Sequence, residues 1–152
     1  MNNNKSDNIF LKEVNLSLLA EGKSLRIKPT GYSMFPAIRP GNIVIIAPVI
    51  NQSNLTVGDI VVFKRDSDFV LHRLTDIRHQ EGNTFCITRG DSSINEDKPI
   101  TADKIISVVT SIETKRSETI PHRRKIHYHR NRAMVKIIHL WNKLLRVINY
   151  NS

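Results

Sequence analysis

The chain has little that would staple it, chelate a metal or span a bilayer. Among 152 residues there is one cysteine, Cys86. That excludes an internal disulfide and leaves no thiolate set for a metal, so neither a metal nor a cofactor is expected. Within the run Asn-Thr-Phe-Cys-Ile-Thr, Cys86 reads as a small buried strand residue. No uncharged apolar run approaches the roughly 18 residues that a membrane-spanning helix requires. The first residues are polar, and the segment after them is interrupted by Lys12, Glu13 and Asn15. No signal peptide or membrane anchor is therefore expected at this end, and the expected location is the cytoplasm. Acidic residues are missing beyond Glu118, where Arg123, Arg124, Lys125, Arg130, Arg132, Lys136, Lys143 and Arg146 follow. The net charge of +9 thus belongs mainly to the tail. A central domain close to neutral has no need of a nucleic-acid partner.

What is present is one domain's worth of chain with appendages, 39% hydrophobic, in which short Val/Ile-rich runs favour sheet over helix. Asp7 or Asn8 can cap an amphipathic helix carrying Ile9, Phe10, Leu11, Val14, Leu18 and Leu19, with Gly22 just past its end. Strands are expected at 25–28, 43–46, 60–63, 69–74, 84–88 and 105–112. Turns fall between them at Gly41-Asn42, at 65–68 and at 81–83. The stretches 40–46 and 57–63 echo one another, each a Gly-Asn/Asp turn feeding an apolar strand. Turns at this spacing describe an antiparallel coiled sheet or barrel. A basic, histidine-rich linker spans 114–130. Beyond it, 131–150 combines a broad apolar face, Trp141 and a cationic edge of Lys136, Lys143 and Arg146, the pattern of a helix lying on an anionic membrane surface. Attachment at the inner membrane face, or packing of this helix on the sheet, are both open.

The most constrained polar residue is Ser33. Thr30-Gly31 forms a turn before it, and Pro36 and Pro40 restrict the backbone after it. A serine held at such a bend can be aimed, and bends leave backbone N–H groups free for an oxyanion. A serine hydroxyl becomes a nucleophile only when a base takes its proton. His72 is the histidine set within a strong strand; His79 lies in a polar connection, and His122, His127, His129 and His139 lie in the tail. Residues 89–97 offer Asp91, Glu96 and Asp97 as a carboxylate to orient the imidazole. From the residues alone all three stay open.

Three segments in order narrow this. Gly31-Tyr-Ser-Met-Phe-Pro-Ala-Ile-Arg-Pro-Gly41, then Val57-Gly-Asp-Ile-Val-Val-Phe63 with Val70-Leu-His-Arg-Leu74, then Thr88-Arg-Gly-Asp-Ser-Ser-Ile-Asn-Glu-Asp97 with Pro99-Ile100, resemble the signal peptidase I-like serine peptidases across roughly 23–112. The resemblance implies Ser33 as nucleophile, His72 as base and Asp97 as its partner, with Asp91, Gly31 and Met34 in support. Where the common bacterial type has a lysine base, this chain has His72, so it is similar to the endoplasmic-reticulum-type and sporulation-type branch. Asn42 stands where many relatives have Asp. Gly31 stands where some carry a hydroxyl for the oxyanion hole, which shifts that role to the Ser33 N–H. The chain is thus expected to comprise an N-terminal helix at 1–22, a peptidase domain at 23–113, the linker, and the helix at 131–152. Its expected function is a serine endopeptidase cutting a leader or signal-like segment from a precursor peptide or protein. The alternative is a non-catalytic or self-cleaving module of the LexA type acting through its basic tail.

Overall fold

The computed structural model describes residues 16–66, 68–114 and 119–121. Residues 16–20 are helical, and the helix ends as Gly22 predicts. Gly22 adopts φ +80°. Its N–H reaches the Leu19 carbonyl at 2.9 Å and the Lys23 N–H reaches Leu18 at 3.0 Å, the paired bonds that close a helix over a left-handed residue. The rest of that expected helix, and the 131–150 helix, lie outside the described residues.

The fold is mainly β. Strands run at Leu25–Ile27 (β1), Ile43–Pro48 (β2), Ile60–Arg65 (β3), Asp68–Gln80 (β4), Asn83–Arg89 (β5), Ile100–Thr101 (β6), Ile105–Glu113 (β7) and Thr119–Pro121 (β8). They form one antiparallel sheet in the order β1-β2-β7-β3-β4-β5-β6, and β8 pairs with β7 off that path. Of the two shapes expected, the barrel is not formed: among the described residues β1 and β6 are edges and do not meet. The 105–112 strand is not the last, because Thr119–Pro121, within the stretch expected to be a linker, adds β8. The 69–74 strand runs on to Gln80, passing a register shift between Leu74 and Asp76. Beyond it Glu81 (φ +50°) and Gly82 (φ +76°) make the two-residue hairpin that a turn of this handedness favours.

Both faces of the sheet are covered. Along β3, Ile60 and Val62 join one apolar cluster with Val44, Ile46, Val109 and Ile112, while Val61 and Phe63 join another with Val70, Leu74, Cys86 and Ile105. This is the period-two alternation of a strand buried on both sides, and it explains why β3 reads as a continuous apolar run. Fully burying each such side chain contributes about 1.5–3 kcal/mol.

The echo between 40–46 and 57–63 has a structural meaning. Gly41 (φ +86°) and Gly58 (φ +104°) each precede a side chain that folds back on the turn. Asn42 Oδ1 accepts the Arg39 N–H at 2.8 Å. Asp59 Oδ2 accepts the Thr56 N–H at 3.0 Å. In each turn the returning N–H, of Asn42 or Asp59, donates to the same partner's carbonyl. An acceptor oxygen is all that this turn needs, so asparagine serves where an aspartate was the expected residue.

Candidate active site

Ser33 lies on an exposed turn whose underside is apolar. The Phe35 N–H donates to the Tyr32 carbonyl at 3.0 Å and the Ile38 N–H to Met34 at 2.9 Å, closing one helical turn. Met34 and Ile38, both 4% exposed, anchor it in the core. Gly31 leads into the turn at φ +89° with open space where a side chain would be. Its requirement is therefore conformational. Among the described residues the Ser33 N–H has no intramolecular acceptor.

The turn is held from the other side by the segment after β5. Ser92 donates its N–H to the Ser33 carbonyl at 2.9 Å, and its hydroxyl lies 2.9 Å from the Tyr32 carbonyl and 3.0 Å from that of Ser33. Gly90 completes the contact. A Cβ on Gly90 would lie 2.7 Å from the Ser33 carbonyl oxygen, 2.9 Å from Ser93 Oγ and 3.0 Å from His72 Nε2. The Ser33 turn and the histidine thus close on one point that only a glycine leaves empty.

His72 and Arg73 are consecutive on β4, so their side chains leave opposite faces. His72, paired in register with Val61, stands on the Phe63 side, its ring edge-on to that phenyl at 6.4 Å between centroids. Its Nδ1 lies 2.6 Å from Asp97 Oδ2, an oxygen that also accepts the Thr88 hydroxyl at 2.7 Å. The second Asp97 oxygen is 3.3 Å from the Arg65 guanidinium. An ionised carboxylate only accepts, so this contact places the imidazole proton on Nδ1 and leaves Nε2 toward Gly90 and the Ser33 turn. Arg73, 5% exposed, makes a two-pronged contact with Asp91, Nε to Oδ1 and Nη2 to Oδ2, each 2.8 Å, and donates from Nη1 to the Gly58 carbonyl at 2.8 Å. Asp91 is 2% exposed.

Of the three carboxylates left open by the residues alone, Asp97 meets the histidine, Asp91 meets the arginine, and Glu96 is exposed. His79, set aside as a base, is exposed and contacts Thr84. Ser33 and His72 line the same cleft, of about 610 Å³, whose apolar lining includes Ile27, Ile38, Phe69 and Leu71. No hydrogen bond joins the Ser33 hydroxyl to His72 among the described residues.

Five contributors were not singled out by sequence reasoning: Gly90, Thr88, Ser92, Arg65 and Arg73. Gly90 and Thr88 fall within the third motif, yet nothing in a one-dimensional pattern says that a glycine is kept for clearance. Arg73 stands out only as a charge next to His72.

Among the described residues no group of histidine, cysteine or carboxylate side chains is arranged to hold a metal ion, and no helix is long and apolar enough to cross a membrane. No protein-family model and no curated protein matches the chain.

Proposed function

We propose that the chain is a serine endopeptidase acting on a precursor peptide or protein, with Ser33 as nucleophile, His72 as base and Asp97 as its orienting partner. The observation that carries this reading is the 2.6 Å contact of His72 Nδ1 with Asp97, which turns Nε2 toward the Ser33 turn. His72 Nε2 takes the Ser33 proton as the hydroxyl oxygen bonds to the scissile carbonyl carbon. The tetrahedral oxyanion is stabilised by the Ser33 N–H. When the C–N bond breaks, His72 gives the proton to the departing amine and an acyl ester is left on Ser33. Water, deprotonated by the same nitrogen, then releases the new carboxylate and restores the hydroxyl. Asp97 keeps its charge throughout and stabilises the imidazolium. The fall from a solvent-facing turn into an apolar cleft suits an extended peptide segment, and the fold assignment to the signal peptidase and LexA catalytic type rests on the same three motifs.

Mass spectrometry of new N-termini in a denatured protein mixture tests this. Fragments made by the wild-type chain, and absent with Ser33→Ala and with His72→Ala, support it; identical termini from all three proteins refute it. Self-cleavage has its own signature, a shortened wild-type chain beside an intact Ser33→Ala chain. The 131–150 segment is proposed to dock on anionic membrane. Vesicles containing phosphatidylglycerol should retain the chain at low salt and lose it when Lys136, Lys143 and Arg146 become Glu, each cation contributing about 1 kcal/mol.

A further inference from the structure

The charges around the cleft are one-sided. Lys28, Arg39 and Arg65 line it together with Ser33 and His72, and Asp68 is the single carboxylate among the described residues that line it. Asp68 has an interaction of its own. Arg65 is shared with Asp97. Lys28 and Arg39 have no acidic partner among the described residues. Lys28 follows β1, which forms one wall. Arg39 follows the Ser33 turn, its guanidinium carbon 5.9 Å from the centre of the Phe35 ring. Lys28 and Arg39 are exposed, so both stay hydrated while the cleft is open, and an anionic side chain lying in the cleft would meet two cations that have no acidic partner among the described residues.

We propose that this cleft selects peptides carrying an aspartate or glutamate beside the bond to be cut, read by Lys28 and Arg39. The inference refines the peptidase reading by naming its substrate class, and it concerns binding, so it can fail or stand without turnover. The same field opposes entry of the chain's own segment beyond Glu118, which carries basic residues and no acid. A partner in trans is thereby favoured over the tail in cis.

The probe is a set of fluorescein-labelled decapeptides of alanine and valine that differ only at one central position, Asp, Asn or Lys. Anisotropy titrations use the full-length Ser33→Ala chain, which binds without cutting. The Asp peptide should bind at least about five-fold more tightly than the Asn peptide at low ionic strength, with Lys weakest, and the gap should narrow as salt is raised. A Lys28→Glu/Arg39→Glu chain should erase or invert the order. Because the whole protein carries +9, an Arg78→Glu/Lys104→Glu chain provides the same change in net charge at exposed positions outside the cleft lining and should keep the order. Equal affinity for Asp and Asn, equal loss from both double variants, or no binding by any peptide overturns the inference. The new-termini experiment then judges hydrolysis separately.

Discussion

Asp91 and Asp97 leave the same loop and meet consecutive residues of the same strand, yet their surroundings differ. The Asp91 side chain is wholly buried, and both of its oxygens are taken by one guanidinium. That pair is a closed unit: two opposite charges, matched in geometry, each of which would leave the other unpaired in a dry site if it were removed. The Asp97 side chain retains 19% of its exposure and divides its oxygens among His72, Thr88 and an exposed Arg65. Here one partner is a ring that can gain and lose a proton, while the other two keep the anion supported through either state. The first arrangement holds a loop in place, and the second can take part in chemistry.

The contrast yields variants that separate stability from rate. Asp97→Asn should produce the largest effect, a fall in turnover of up to about 10⁴-fold with the melting temperature little changed, because the amide no longer imposes the Nδ1–H tautomer. Measuring both quantities on one preparation checks it, and a parallel collapse of stability would erase the distinction drawn here. Asp91→Ala should act the other way. Stripping one partner from the buried pair should cost about 3–5 kcal/mol in denaturant unfolding, with activity lost in proportion to the folded fraction. If the variant is as stable as wild type, Asp91 is not the clamp described. Gly90→Ala should cost about 1–3 kcal/mol, since the added methyl meets a backbone carbonyl that cannot swing aside. It should also lower turnover, and activity at the wild-type level would show that the Ser33 turn and His72 need not stay in contact. The smallest effect concerns Cys86, whose thiol burial pushes above its ordinary range. It should stay protonated and unreactive toward iodoacetamide through neutral pH in the folded chain and react on unfolding. Since the folded value is the higher one, its contribution to stability is present below the unfolded thiol's titration and is lost as pH rises through that range toward the folded value.

Local features were legible in the sequence and long-range ones were not. The Gly22 helix end, the Glu81-Gly82 hairpin and the two Gly-Asn/Asp turns depend on residues within a few positions of one another, so glycine placement and side-chain acceptors announce them. Ser33 and His72 were singled out by their local setting, while the choice among Asp91, Glu96 and Asp97 needed the resemblance, because the three have equal chemistry in one dimension. The insertion of β7 between β2 and β3 was hidden, since an apolar strand carries no label for its neighbours. β8 was hidden because Thr119–Pro121 sits in a basic stretch with no apolar alternation. The bidentate Arg73–Asp91 contact depends on a bend of the loop after β5 that composition does not encode.

The position of β7 has a consequence for timing. β1 and β2 flank the serine turn, while β3 to β6 carry the histidine and lead to its carboxylate, and the ladder between the two groups runs through β7 alone. Synthesis toward the C-terminus makes Ser33 and His72 well before Ile105–Glu113, and Asp97 shortly before it. Until then no strand ladder joins the two groups, which are tied by the packing of Met34, Ile38, Val44 and Ile46 with Ile60 and Val62 and by the contacts of Ser92 with the Tyr32 and Ser33 carbonyls, and such contacts, the last bridging about sixty residues of chain, carry a corresponding closure entropy. A growing polypeptide therefore holds all the candidate groups of the site before the strand that joins their two sheets, and their alignment waits on β7.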